Sequence, residues 1–132
     1  MLRSFEGGCV ETRAGVSLLY VEDNGELREA LSAVLSDEGY VVDVAACAVE
    51  GLERLRARRF HLVISDYGLP DQTGAWMLRQ AAASGLLDRT GTLLVTATAD
   101  PEDAGTTPVL HKPLDVGQLL EQIARLLALP RE

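Results

Sequence analysis

The sequence predicts an α/β fold: five parallel strands in one sheet, doubly wound with helices on both faces. Three observations predict it. Five short apolar runs alternate along the chain with segments of helical period, the order that builds a parallel sheet through right-handed crossovers. The longer runs are continuously apolar, as strands covered on both faces are. Four of them end on polar residues, namely Glu22 with Asp23, Asp66, Thr96 and Lys112, and the carboxyl edge of such a sheet is where ligands bind.

The elements follow in order. Residues 1–15 have no clear period and contain Gly7, Gly8 and Gly15, so they read as a poorly ordered extension ahead of one domain over 16–132. Val16–Asp23 (VSLLYVED) is the first strand and its acidic end. From Asn24 to Asp37, residues Leu27, Ala30, Leu31, Val34 and Leu35 share a helical face, and Gly39 can stop that helix. VVDVA (41–45) is the second strand. Val49, Leu52 and Leu55 mark a second helix that ends in Arg56, Arg58 and Arg59, a solvated basic end that complements the helix dipole. His61–Asp66 is the third strand, with Gly68 and Pro70 shaping the loop after it. Gly74–Ala83 is a third helix in which Trp76 and Met77 pack, and Gly85 breaks it. GTLLVTA (91–97) and PVLHK (108–112) are the last two strands. Asp115 and Gln118 form a capping-box-like start to a final helix with the stripe Val116, Leu119, Leu120, Ile123, Leu126 and Leu127, ended by Pro130.

Composition narrows the functions. The chain has 132 residues, 47% hydrophobic and 24% charged, enough for one domain with a sizeable core. No apolar run approaches the ~20 residues of a membrane span, and the first residues lack the apolar core of a signal peptide, so the expected compartment is the cytoplasm. Cys9 and Cys47 have no metal or redox spacing and read as free thiols. A net charge of -8 argues against direct nucleic-acid binding, which needs a basic surface. His61 and His111 read as structural or surface residues rather than metal ligands.

The polar strand ends carry the chemistry. Three carboxylates at one edge repel one another and should raise a pKa; a divalent cation and a lysine would relieve this. Oxygen donors favour a hard ion such as Mg2+. Thr96 offers a hydroxyl donor and Lys112 a mobile positive charge. The set suits a phosphoryl group held beside Mg2+, with Asp66 as carboxylate nucleophile. Each residue also has a plainer reading: Asp23 with Glu26 fits a capping box, Thr96 can be structural, and Lys112 can be a solvated strand end.

Four motifs in this order carry a family resemblance: VED (21–23), SDYGLP (65–70) with Gly74 after it, VTA (95–97) and HKP (111–113). From about Val16 to Leu129 the sequence resembles the receiver domains of two-component response regulators, including the chemotaxis regulators. The resemblance implies a flavodoxin-like sheet of order 2-1-3-4-5 and a signalling domain rather than an enzyme. It implies that Asp66 accepts a phosphoryl group from a phosphohistidine on a sensor histidine kinase or phosphotransfer protein. Asp23, Asp66 and the backbone carbonyl of Gly68 would ligate Mg2+, with Glu22 acting through water. Thr96, the Ala97 amide and Lys112 would contact the phosphoryl oxygens. An output protein, not identified by the sequence, would read the result, and the resemblance is compatible with a homodimer. The 132 residues hold no effector domain, so the expectation is a stand-alone regulator or a receiver taken from a longer protein such as a hybrid kinase.

Two departures from the family pattern stand out. Only ten residues, 98–107, separate the fourth and fifth strands, near the lower limit of roughly 10–12 residues for a crossover. Pro101, Gly105 and two threonines favour loop there, so the family's fourth helix is expected to be missing or cut to about one turn. The family's switching aromatic, three residues before the lysine, is here Val109. Two other functions fit part of the pattern: a receiver-like interaction module independent of phosphorylation, and a phosphohydrolase with an aspartyl nucleophile, which would want a second acid where Gly68 stands.

Overall fold

The structure, a computed structural model, describes residues 15–99 and 101–128. The expected extension over 1–15 lies, apart from Gly15, outside the described residues.

The strands are β1 (Ser17–Val21), β2 (Val41–Ala45), β3 (Leu62–Asp66), β4 (Gly91–Thr96) and β5 (Val109–His111), and the α-helices are α1 (Gly25–Asp37), α2 (Ala48–Ala57), α3 (Gly74–Ala83) and α4 (Val116–Leu126). The strands form one sheet in the order β2-β1-β3-β4-β5, with every pair parallel. The expected topology is therefore the observed one.

Period-two alternation along the strands divides the core in two. Leu19, Val21, Val63 and Leu94 face α2 and α3, packing with Leu52, Leu55, Met77 and Leu78. Leu18, Tyr20, Ile64, Leu93 and Val95 face the other way, onto Leu31 and Leu35 of α1 and Leu119 and Ile123 of α4. That is why the longer runs read as continuously apolar: β1, β3 and β4 are covered on both sides, whereas the edge strands β2 and β5 are only partly buried.

The helix ends correct several expectations. Asn24, not Asp23, caps α1, its side chain accepting from Leu27 N at 3.0 Å. Asp23 stays exposed at the sheet edge and is not engaged as the cap. Val49 points to solvent, and the buried face of α2 is Ala48, Gly51, Leu52 and Leu55. Val116 at the start of α4 and Ala30 on α1 are likewise exposed. Thr73 caps α3 through Trp76 N at 3.0 Å, and Asp115 caps α4 through Gln118 N at 2.9 Å. Gly39 and Gly85 follow α1 and α3 with φ of 103° and 74°, the left-handed conformation that ends helices.

Among the described residues, the crossover between β4 and β5 holds a single 3-10 turn, Glu102–Ala104, entered from Pro101. The expected shortening is borne out. The segment has too few residues to build and return from a longer helix.

Candidate functional site

The carboxyl ends of β1, β3, β4 and β5 meet at one edge of the sheet. Parallel register places Val21 beside Ser65, Asp66 beside Val95, and Thr96 beside His111. The residues that follow β1 and β5, Glu22, Asp23 and Lys112, thereby reach the same place as Asp66.

Carboxylate oxygens of Glu22, Asp23 and Asp66 all lie within 4.8 Å of one another. Lys112 Nζ bridges two of them, 3.2 Å from Asp66 Oδ1 and 3.3 Å from Glu22 Oε1. Glu22 is 2% exposed and Asp66 8%, so the lysine balances charge where water screens poorly. Glu22 has further support: Oε2 accepts from Asn24 N at 3.1 Å and Oε1 from the Tyr20 hydroxyl at 3.4 Å. Arg28 Nη1 donates to the Glu22 carbonyl at 2.8 Å. Glu22 is thus a fixed part of the wall, whereas Asp23 is exposed and free to meet a cation.

Burial pushes the Asp66 carboxyl above the ordinary carboxylate range, repulsion from Glu22 adds to the rise, Lys112 opposes it, and Asp23 raises it again. For Lys112, burial works against the charge, but attraction to Asp66 and then to Glu22 overcomes it and the pKa is raised. Burial, followed by the neighbouring Glu22 and Asp66 charges, drives the Tyr20 phenol well above its usual range. The repulsion among acids expected from sequence is therefore present at Asp66, and one lysine offsets only part of it.

Thr96 is buried at the end of β4, and its Oγ1 lies 3.1 Å from Thr98 Oγ1 while accepting from Thr98 N at 3.2 Å. Its carbonyl accepts from Lys112 N at 2.8 Å, which fixes the lysine's backbone to β4. The Lys112–Pro113 peptide is cis. Ala97 is exposed just beyond Thr96. Gly68 is exposed in the β3–α3 loop and bridges to Thr73.

The loop after Asp66 is held partly by residues that the sequence does not single out. Asp71 accepts from Ala48 N and Val49 N, each at 2.9 Å; it caps α2 from another element, where the residue at the cap, Cys47, makes no side-chain bond. Gly74 N donates to the Tyr67 carbonyl at 2.7 Å. A Cβ at Gly74 would collide with the Asp66 carbonyl oxygen and lie 2.7 Å from Ser65 Oγ, so only glycine lets α3 start this close to the end of β3. Gly74 was legible as part of the motif; Asp71 and Tyr20 were not, because their partners lie in distant sequence or alternate along a strand with no local signal. His61 stands at the opposite edge, its Nδ1 3.0 Å from Ser17 N, in the structural role expected.

The comparisons with known proteins agree with this geometry. The model of the response regulator receiver domain matches residues 18–124. The chain belongs to the response regulator receiver domain family. It is 33% identical over 112 residues to the transcriptional regulatory protein DltR of Streptococcus agalactiae serotype III (strain NEM316), covering 80% of this chain and 49% of that protein. It thus spans about half the length of this relative. It is 29% identical over 120 residues to hybrid signal transduction histidine kinase D of Dictyostelium discoideum, covering 86% of this chain and 8% of the kinase. Among solved structures, the CheY-like receiver domain protein of Methanospirillum hungatei JF-1 superposes with a TM-score of 0.78 at 30% identity, covering 86% of this chain and 94% of that one. The receiver domain of sensor histidine kinase PA1611 from Pseudomonas aeruginosa PAO1, solved with a magnesium ion coordinated in its active-site cleft, gives 0.79 at 26% identity, covering 87% and 99%.

The residues present fit a hard divalent cation. The donors are carboxylate oxygens in reach of one another, and they carry more negative charge than Lys112 balances. No helix among the described residues is long and apolar enough to cross a membrane.

Proposed function

We propose that this receiver domain is a phosphoacceptor and that Asp66 carries the phosphoryl group. The observation that bears most of the weight is the Lys112 bridge: a buried carboxylate whose ion-pair partner is a lysine, with two further acids beside it. Such a group is poorly solvated and held in place to attack.

In the proposed reaction an Asp66 carboxylate oxygen forms a bond to phosphorus as the P–N bond of a phosphohistidine breaks. The departing imidazole nitrogen takes up a proton. Lys112 follows the new negative charge, Thr96 donates its hydroxyl to a phosphoryl oxygen, and the Ala97 amide supplies a second donor. Phosphoryl transfer relies mainly on such positioning and charge neutralisation. Asp23, Asp66 and the Gly68 carbonyl would hold Mg2+, with Glu22 acting through water, and the ion would supply charge neutralisation at the transferring group. The donor is a sensor histidine kinase or phosphotransfer protein in the cytoplasm. The domain signals by protein–protein interaction, with an output protein or a second copy of itself, and is not itself an enzyme.

A specific observation favours a second reading, an interaction module that does not use phosphorylation: the crossover is one 3-10 turn, and Val109 stands where the family's switching aromatic is expected. Incubation with Mg2+ and acetyl phosphate followed by intact-mass measurement separates the two. A stable gain of one phosphoryl group, absent in Asp66→Asn, supports the phosphoacceptor; no gain supports the module. Rapid repeated turnover of the donor would instead indicate a hydrolase.

A further inference from the structure

Two contacts of the shortened β4–β5 crossover begin beside Asp66. The first is Thr96, whose hydroxyl meets the hydroxyl and amide of Thr98. The second is Tyr67, the residue that follows Asp66. Its amide donates to the Val95 carbonyl at 2.7 Å and its carbonyl accepts from Gly74 N at 2.7 Å, so its backbone is locked between β4 and α3. Its ring packs on the core cluster that Ala104 and Val109 also join. Its hydroxyl donates to Asp103 Oδ1 at 3.0 Å, and Arg79 of α3 approaches Asp103 Oδ2 at 3.5 Å. Asp103 is the middle residue of the 3-10 turn.

Tyr67 therefore brings to this cluster the aromatic ring that Val109 does not, from the end of β3 instead of from β5. We propose that the Tyr67–Asp103–Arg79 link couples the Asp66 site to the crossover, holding residues 101–107 in the arrangement described while Asp66 is a free carboxylate and releasing them when it carries a phosphoryl group. The inference rests on the phosphoacceptor reading. A switch needs a contact that differs between its two states. Here Thr96 Oγ1 is both the atom that meets Thr98 and, in the phosphoacceptor reading, the atom that turns toward a phosphoryl oxygen, so that turn opens its contacts with Thr98. Losing those contacts leaves the Asp103 bonds and the packing of Ala104 to hold a turn in which no residue is fully buried. The plainer reading is that Tyr67–Asp103 is a surface hydrogen bond with no effect on the site.

Linkage separates the two. If the link favours the unmodified state, breaking it must favour occupancy of the Asp66 site by the same factor. The test measures the Kd of wild type, Tyr67→Phe, Asp103→Asn and the double variant for beryllofluoride, a phosphoryl analogue, with Mg2+ by 19F NMR, together with amide exchange of 101–107. Each single variant should bind about fivefold more tightly than wild type. The double variant should gain no more than either, because both changes break one link. Exchange of 101–107 in the free variants should rise to the level of analogue-bound wild type. An unchanged Kd in both single variants, or exchange that stays at the free wild-type level, overturns the link while leaving the phosphoacceptor reading intact. Wild type that binds no analogue and takes no phosphoryl group overturns the phosphoacceptor reading and the link's signalling role with it.

Discussion

Lys112 Nζ lies 3.2 Å from Asp66 Oδ1, and the same ammonium lies 3.3 Å from Glu22 Oε1. One cation from the end of β5 thus restrains the acids that follow β1 and end β3. Lys112→Ala should remove the charge that meets the incoming phosphoryl group and slow acetyl phosphate-dependent labelling on the order of a hundredfold. It should also cost about 2 kcal/mol of stability, since two largely buried carboxylates lose their counter-charge. Labelling rates and urea unfolding check the two parts separately; a variant that labels at the wild-type rate would remove Lys112 from the proposed chemistry.

Asp23 is exposed and does not cap α1, so Asp23→Asn should change the stability of the metal-free protein by less than about 0.5 kcal/mol. Its effect should appear with Mg2+. At a hundredfold excess over Kd the ion should stabilise the wild type by about 2.7 kcal/mol, and Asp23→Asn should lose most of that gain. Thermal unfolding with and without Mg2+ reads both numbers, and an equal Mg2+ response in the variant would contradict the assignment.

The two loop glycines should behave oppositely. Nothing lies within 4 Å of a Cβ at Gly68, whereas one at Gly74 strikes the Asp66 carbonyl. Gly68→Ala should leave stability within about 0.5 kcal/mol of wild type. Gly74→Ala should cost about 2–3 kcal/mol, because backbone must shift to admit the methyl group. Denaturant midpoints for the pair test this, and equal midpoints would show that α3 can move away without penalty.

Asp71 caps α2 from the β3–α3 loop, and the signs of its titration are fixed by that contact. Burial would raise its pKa, but the hydrogen bonds from the Ala48 and Val49 amides, joined by those of Asp71 and Gln72, together outweigh it and the folded value lies below the ordinary carboxylate value. Its contribution is therefore present above the unfolded pKa of about 3.9 and is lost as pH falls through the lower folded value. Asp71→Ala should cost about 1 kcal/mol at pH 7, and the gap from wild type should close in strong acid. Unfolding curves at several pH values show whether it does; a gap independent of pH would mean the carboxylate charge has no part in the cap.

Much of the frame was legible because it is local. Strand ends, the α3 boundaries, the Asp115 cap and the shortened crossover follow from apolar period, capping residues and a ten-residue count. The acids and lysine of the site were legible because each ends an apolar run. What escaped was non-local. Asp71 and α2 are more than twenty residues apart in sequence, and Tyr67 and Asp103 are 36 apart. Asn24 and Asp23 are both good caps with a suitable spacing, and only the backbone path chooses between them. Val49 fits the helical stripe by spacing, but the face that α2 buries is set by contact with β1 and α3, as the approach of Gly51 to Val21 and Met77 shows.

The central claim is that Asp66, among three adjacent acids, takes the phosphoryl group. Peptide mapping by mass spectrometry after incubation with Mg2+ and acetyl phosphate tests it most directly. The phosphoryl group is predicted on the peptide containing Asp66, with none on the peptide containing Glu22 and Asp23 and none anywhere in Asp66→Asn. A phosphoryl group on Glu22 or Asp23, or an unlabelled wild type, would contradict it.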